Sequence, residues 1–194
     1  MSNAVSSLRT ERLLLRAWRE TDRDPFARIN ADPRVMEHLP GPLTRAESDA
    51  LIDRIRAHFA AWGFGLWAVE LPGAAELVGF VGLSVPAFTA AFTPCVEIGW
   101  RLAAEHQGRG YATEGARAAL AFGFGTLRLA EIVAFTVPAN TRSRRLIERL
   151  GMRRDPGEDF DHPALAAGHP LRRHVLYRLS LAGWRTAGGG ARQP

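Results

Sequence analysis

The sequence predicts a mixed α/β fold in a single domain, and three observations predict it. A strand, a glycine-rich turn and an alanine-rich helix follow one another from Cys95 to Phe124. Extended apolar runs are joined first by a hairpin and later separated by helical segments. The chain has 194 residues, 46% of them hydrophobic, enough to bury a core. The expected order is β-α-α-β-β-β-α-β-α-β across residues 8–182. The Gly/Arg-rich tail Gly183–Pro194 is expected to be disordered.

Leu13-Leu14-Leu15 opens a first strand that ends at Arg16-Ala17-Trp18. Thr21-Asp-Arg-Asp-Pro25 supplies a capping residue, early acids and an N-terminal proline, so a short helix follows until Asp32-Pro33 interrupts it. Thr44-Arg-Ala-Glu47 is a capping box ahead of Leu51, Ile55, Phe59 and Trp62, which share one helical face, with Gly63 as C-cap. The runs 66–70 and 77–85 form a hairpin across Pro72-Gly73. Residues 95–102 alternate as the next strand, 131–137 as another, and 173–181 as the last. Pro138-Ala-Asn140 leads into a helix through Leu150 that Gly151 ends.

The loop Gln107-Gly-Arg-Gly-Tyr-Ala112 is the most informative stretch of the chain. A strand feeding a glycine turn into a helix start leaves backbone N–H groups pointing outward, and the helix dipole adds roughly half a positive charge. Gly108 and Gly110 let an anion approach the backbone closely. The stretch reads as a phosphate cradle, the plain alternative being a turn that only joins strand to helix. A Walker loop is excluded because the chain has no lysine. A dinucleotide fingerprint fits worse, since Thr113 stands where its third glycine belongs.

Composition closes off other classes. No apolar run approaches the ~20 residues of a membrane span, and the N-terminus lacks a signal-peptide core. A cytoplasmic protein with no membrane partner is expected. Cys95 is the one cysteine, which excludes an internal disulfide and a cysteine-based zinc cluster. Its place in an alternating strand makes it a small buried residue. The 25 basic residues are all arginine, against 20 acids, for a net charge of +5. They are scattered rather than blocked, which disfavours a nucleic-acid partner.

Thr10-Glu-Arg-Leu-Leu-Leu-Arg16, Glu97-Ile-Gly-Trp100, Gly108-Arg-Gly-Tyr-Ala-Thr-Glu114, Asn140-Thr-Arg-Ser143 and Leu150-Gly-Met152 occur in order along nearly the whole chain. Together they resemble the GNAT superfamily of N-acetyltransferases, in its RimJ/RimL-like branch. The resemblance implies a mostly antiparallel twisted sheet of about six or seven strands, splayed at the cofactor site, with helices on both faces. It implies acetyl-CoA as co-substrate and no metal, with the N–H groups from Gln107 through Gly108, Arg109, Gly110 and Tyr111 to Ala112 on the pyrophosphate. The strand edge at Trp100, Arg101 and Leu102 would pair with the pantetheine amides. A backbone N–H near Gly99 or Trp100 would hold the oxyanion.

Direct transfer of an acetyl group to an amine needs a base, an oxyanion donor and an acid for the thiolate. Glu97 is the base candidate. It shares a strand face with Gly99 and Arg101, while Val96, Ile98, Trp100 and Leu102 take the other. The bland alternative is an ion-paired glutamate, with Arg101 as partner. Asn140 is either an N-cap, a contact to the pantetheine or acetyl end, or both. Ser143 is the acid candidate; the tyrosine many relatives carry in this helix is replaced by Leu146 and Ile147. Tyr111 is expected to pack beside the loop, and Glu114 to serve the helix dipole.

Asp159-Phe-Asp-His162-Pro, with His169 and His174, matches no metal spacing and reads as a proline-bounded loop. His162 or Asp161 could face the acceptor from it. Trp62, Phe64 and Trp67 either pack in the core or wall an apolar acceptor pocket. The expected activity is acetyl-CoA-dependent N-acetylation of a protein N-terminus or small-molecule amine. The alternative is a non-catalytic acyl-CoA sensor or assembly module. The resemblance also leaves a homodimer open.

Overall fold

A computed structural model of the chain describes residues 7–188. They gather into two compact units, one of residues up to Ser84 with Gly99–Ala119, the other of Val85–Ile98 with residues from Leu120 onward.

In the first unit, β1 (Ser7–Arg9) runs antiparallel to β2 (Leu14–Arg16), with Ser7 opposite Arg16. β2 pairs with β3 (Leu66–Leu71), and β3 turns through Pro72-Gly73 into β4 (Ala75–Ser84), the expected hairpin. Helices α1 (Arg23–Ala31), α2 (Pro33–Met36) and α3 (Arg45–Trp62) fall between β2 and β3. The Thr44–Glu47 capping box forms and Gly63 closes α3 at φ +75°. The buried stripe of α3 is Ser48, Ile52 and Ile55. Trp62, expected on that stripe, is 55% exposed, because it sits in the last turn just before the chain reverses at Gly63. Trp18, Phe26, Ile29, Ile52, Ile55 and Phe80 pack into one apolar cluster. Phe64 and Trp67 are buried in the core.

β5 (Glu97–Leu102) follows β4 in the strand order. A Cβ at Gly79 of β4 would stand 2.0 Å from the Arg101 carbonyl oxygen, so only glycine lets the two backbones come this close. The helix α4 (Tyr111–Gly125) begins in this unit, and a Cβ at its Gly115 would touch Val81 at 3.3 Å.

The second unit includes the start of β5, where Glu97 lies opposite Val133 of the parallel strand β6 (Glu131–Thr136). After β6 come α5 (Thr141–Arg149), β7 (Arg153–Arg154), β8 (Phe160–Asp161), β9 (Arg173–Ser180) and α6 (Leu181–Thr186). β9 runs antiparallel to β6, from Glu131 opposite Ser180 to Thr136 opposite Val175, and also carries β7 and β8.

The described residues hold nine strands rather than six or seven; β1, β2, β7 and β8 are only two or three residues long. Phe160 and Asp161, expected in a plain loop, pair with His174 and Arg173. Residues 183–186, expected to be disordered, are helical: Ser180 caps the Gly183 N–H, and Trp184 stacks on Phe124 at 5.7 Å. The end of that tail, 189–194, and the first six residues lie outside the described residues. Cys95 lies just before β5 rather than in it and is half-buried. Among the described residues no helix is long and apolar enough to cross a membrane.

Candidate active site

The glycine loop in the first unit is built from both sides. On the strand side, Gln107 turns inward: its N–H donates to the Ala104 carbonyl at 3.2 Å and its Nε2 to the Leu102 carbonyl at 2.9 Å. Gln107 therefore braces the loop, and its N–H is spent on the Ala104 carbonyl. Gly108 and Gly110 take φ of +75° and +84°, the left-handed region that costs other residues about 1–2 kcal/mol. The first i to i−4 bond of the helix runs from the Glu114 N–H to the Gly110 carbonyl at 3.0 Å. The N–H groups of Gly108 through Thr113 precede it, as a helix start requires. A Cβ on Gly108 would meet nothing within 4 Å, so the turn is open. An anion fits there on dipole, donors and space alike.

On the helix side, Glu114 does more than serve the dipole. Its Oε1 accepts from Thr10 Oγ1 at 2.6 Å and the Arg12 N–H at 2.8 Å, and its Oε2 from Arg12 Nε at 2.6 Å. Arg12 Nη1 reaches on to the Arg109 carbonyl at 3.1 Å, and its guanidinium lies 4.7 Å from the Tyr111 ring centre. Burial pulls the Glu114 carboxyl upward, but the bonds from Thr10 and Arg12 outweigh it and hold the group below the usual carboxylate range. Arg12 lies in the Thr10–Arg16 landmark but had no role assigned from the sequence, because its partner Glu114 stands far along the chain.

Arg101 points its side chain at α1. Its Nη1 donates to Asn30 Oδ1 at 2.7 Å, and its guanidinium lies 5.5 Å from the Phe80 ring centre. The ion pair with Glu97 weighed above is thereby replaced by a bond to an amide. Trp100 is half-buried and Leu102 buried on β5.

In the second unit, Glu97 is half-buried at the head of β5, and burial pushes its carboxyl up to about 8. Burial, with Glu97 adding to it, also pushes the Cys95 thiol up to about 11, which keeps it protonated near neutrality. Asn140 caps α5: its Oδ1 accepts the Ser143 N–H at 3.1 Å, and its Nδ2 donates to Thr136 Oγ1 at 3.1 Å. This cap brings Asn140 and Ser143 together. Tyr177 is buried, its hydroxyl donating to Glu148 and accepting from Arg144.

The 159–162 segment is tied down. Asp159 accepts from Arg154 Nε at 2.9 Å, and Asp161 faces Arg172 at 3.3 Å. His162 packs on Phe88 at 4.6 Å and lies 5.1 Å from the His174 ring; burial lowers the pKa of both histidines. Among the described residues no group of three or more His, Cys, Asp or Glu gathers as a metal site would require.

The strand, glycine turn and helix belong to a transferase scaffold, as comparison with known proteins shows. The family model for the acetyltransferase (GNAT) domain matches residues 12–153. The chain is 32% identical to the Bacillus subtilis protein YkkB, covering 77% of this chain and 87% of that one. It is 30% identical to the B. subtilis N-acetyltransferase YnaD, covering 90% and 97%. The crystal structure of an acetyltransferase from Agrobacterium tumefaciens superposes with a TM-score of 0.72 at 28% identity, over 92% of this chain and 96% of that one. The chain belongs to the GNAT family and is an acetyltransferase.

Proposed function

We propose that the protein moves an acetyl group from acetyl-CoA directly to a primary amine, in the manner of the RimJ/RimL-like branch. The observation that carries this reading is the glycine turn, whose left-handed Gly108 and Gly110 present the N–H groups opening α4. The N–H groups of Gly108 to Ala112 would hold the pyrophosphate, with Gln107 bracing the turn. The backbone of Trp100, Arg101 and Leu102 would run beside the pantetheine.

In the transfer, the amine nitrogen forms its bond to the thioester carbon and the C–S bond breaks. The proton shed by the amine goes to Glu97, directly or through one water. The departing thiolate takes a proton from the Ser143 hydroxyl, which solvent restores. A carboxylate raised to about 8 is a far better proton acceptor than an ordinary glutamate, which supports Glu97 as base. Asn140 holds the α5 N-terminus that carries Ser143. Cys95, kept as a thiol, supports direct transfer over an acyl-cysteine route.

Calorimetric titration with acetyl-CoA, followed by thiol release against a panel of amines, tests the reading. Saturable micromolar binding with thiol release on one class of amine is the expected result. No binding of acetyl-CoA would overturn it.

A further inference from the structure

Arg101 differs from the ion-paired arginines in its surroundings. Arg12, Arg16, Arg23, Arg154 and Arg178 each hold a carboxylate at close range. Among the described residues Arg101 has none. Its one fixed bond is from Nη1 to Asn30 Oδ1, and Asn30 is itself committed, donating from Nδ2 to Ser48 Oγ at 2.8 Å. Asn30 and Ser48 are both 0% exposed, so this bracket is rigid. Phe80 supports the guanidinium from its ring face. The Nε is buried and has no acceptor. Burial pulls the guanidinium down to about 10, the signature of a cation without its counter-charge.

Such a group is a poor stabilising device. Arg101 is half-buried, and a cation drawn this far from water without a carboxylate costs more than an apolar side chain of the same volume. An orphaned buried donor adds to that cost. The geometry also says what is missing. With Nη1 spent on Asn30, the guanidinium keeps the edge formed by Nε and Nη2, whose two parallel N–H groups match the two oxygens of a carboxylate. The phosphate cradle does not use this group: its arginine is Arg12, bonded to Glu114 and the Arg109 carbonyl.

We propose that Arg101, bracketed by Asn30 and Ser48, binds a carboxylate on the acceptor, so that the substrates are amino-carboxylates of the free amino acid class. This rests on the acetyl-transfer reading and narrows its acceptor. A protein N-terminus carries its neighbouring carboxyl as an amide, and an aminoglycoside carries none; both lack the group that Arg101 selects. Arg101 is a specificity-determining residue on this view, with Asn30 and Ser48 positioning it.

Two measurements on the full chain test it. The first follows the Arg101 Nε–H signal by nitrogen-15 NMR while titrating N-acetylglycine or N-acetyl-leucine, each against its carboxamide. A saturable shift from the acids, at least about tenfold weaker from the amides, is expected. Equal response to acid and amide, or no response to any acid, would overturn the proposal. The second compares thiol release with glycine and leucine against their amides, in wild type and Arg101→Gln. Dividing the two acid-to-amide ratios cancels the different basicity of the amines, and the quotient should exceed about ten. A quotient near one overturns the proposal. So does a loss of coenzyme A affinity in Arg101→Gln with acid selection intact, since the guanidinium would then serve a cofactor phosphate. Failure of the transfer reading itself shows separately, as absent acetyl-CoA binding in calorimetry, and leaves the NMR titration decisive.

Discussion

Arg12 and Glu114 stand 102 positions apart in the chain and meet through a 2.6 Å bond from Nε to Oε2. The pair ties the turn before β2 to the first turn of α4, and Arg12 passes the restraint on to the loop through the Arg109 carbonyl. Glu114→Gln keeps the shape but loses the charge that Arg12 answers. The expected outcome is a coenzyme A dissociation constant raised about tenfold, read by calorimetry, with a lower thermal midpoint. The pH dependence has a definite sign. Glu114 is held below its unfolded pKa of about 4.3, so its stabilisation is complete above that value and fades as pH falls through the folded value. Glu114→Gln should therefore lose stability relative to wild type near neutrality, with the gap closing in acid.

Gly110→Trp places a bulky side chain in the mouth of the turn. Its Cβ would lie 3.3 Å from Arg12 Nη2, the movable end of a long side chain, and its φ of +84° adds a strain of about 1–2 kcal/mol. Coenzyme A binding should vanish in calorimetry while the circular dichroism spectrum persists. Gly125→Ala at the far end of α4 is the control. A Cβ there meets nothing within 4 Å, and the change should leave binding intact and stabilise by about 0.5–1 kcal/mol. Unchanged coenzyme A affinity in Gly110→Trp would remove the cradle from this loop.

The long elements were legible because period and punctuation agreed in each. The Thr44–Glu47 box and Gly63 bracket α3, and the glycine turn brackets α4. Phase was harder than period. Leu51, Ile55, Phe59 and Trp62 mark a helical face, yet the helix buries Ser48, because that serine is satisfied by Asn30 from another helix. Strands of two or three residues, such as β7 and β8, exist only by pairing with β9 and are too short to show a period. The α6 helix was hidden in a glycine-rich tail, since its anchor is the non-local stack of Trp184 on Phe124. Within the proposed site, the left-handed turn was legible from its glycines, Gly108 and Gly110. Arg12, Asn30 and the side chain of Arg101 act through distant partners, and no local spacing encodes those.

The Arg16–Asp22 pair in the first unit is a stability element. Its two bonds of 2.8 and 2.9 Å are bidentate, and both residues are buried, at 5% and 1% exposure. Arg16 also donates to Glu70 at 2.6 Å and to the Glu76 carbonyl, and Asp22 accepts the Arg19 N–H. Asp22→Ala leaves the guanidinium short of a partner inside the fold. The expected loss is about 3–5 kcal/mol in urea unfolding, larger than for any surface pair such as Arg34–Asp32. A loss below about 1 kcal/mol would show that Glu70 alone satisfies Arg16.

The proposed base Glu97 allows catalysis to be separated from stability by pH. If Glu97 is the base it works only when ionised, so turnover with a given amine should rise as pH climbs through about 8 and then level off. Glu97→Gln should bind acetyl-CoA much as wild type does but lose about a hundredfold in turnover at neutral pH. Part of the deficit should return at high pH, where the amine arrives neutral. Stability runs the other way. The folded carboxyl holds its proton up to about 8, while the unfolded one releases it near 4.3. Between those values the native state binds more protons than the unfolded state, so wild type loses stability as pH rises. Glu97→Gln lacks that loss, and its thermal midpoint should overtake that of wild type above neutrality. A variant with full turnover and no such crossing would mean that Glu97 is neither buried as a carboxylate nor the base.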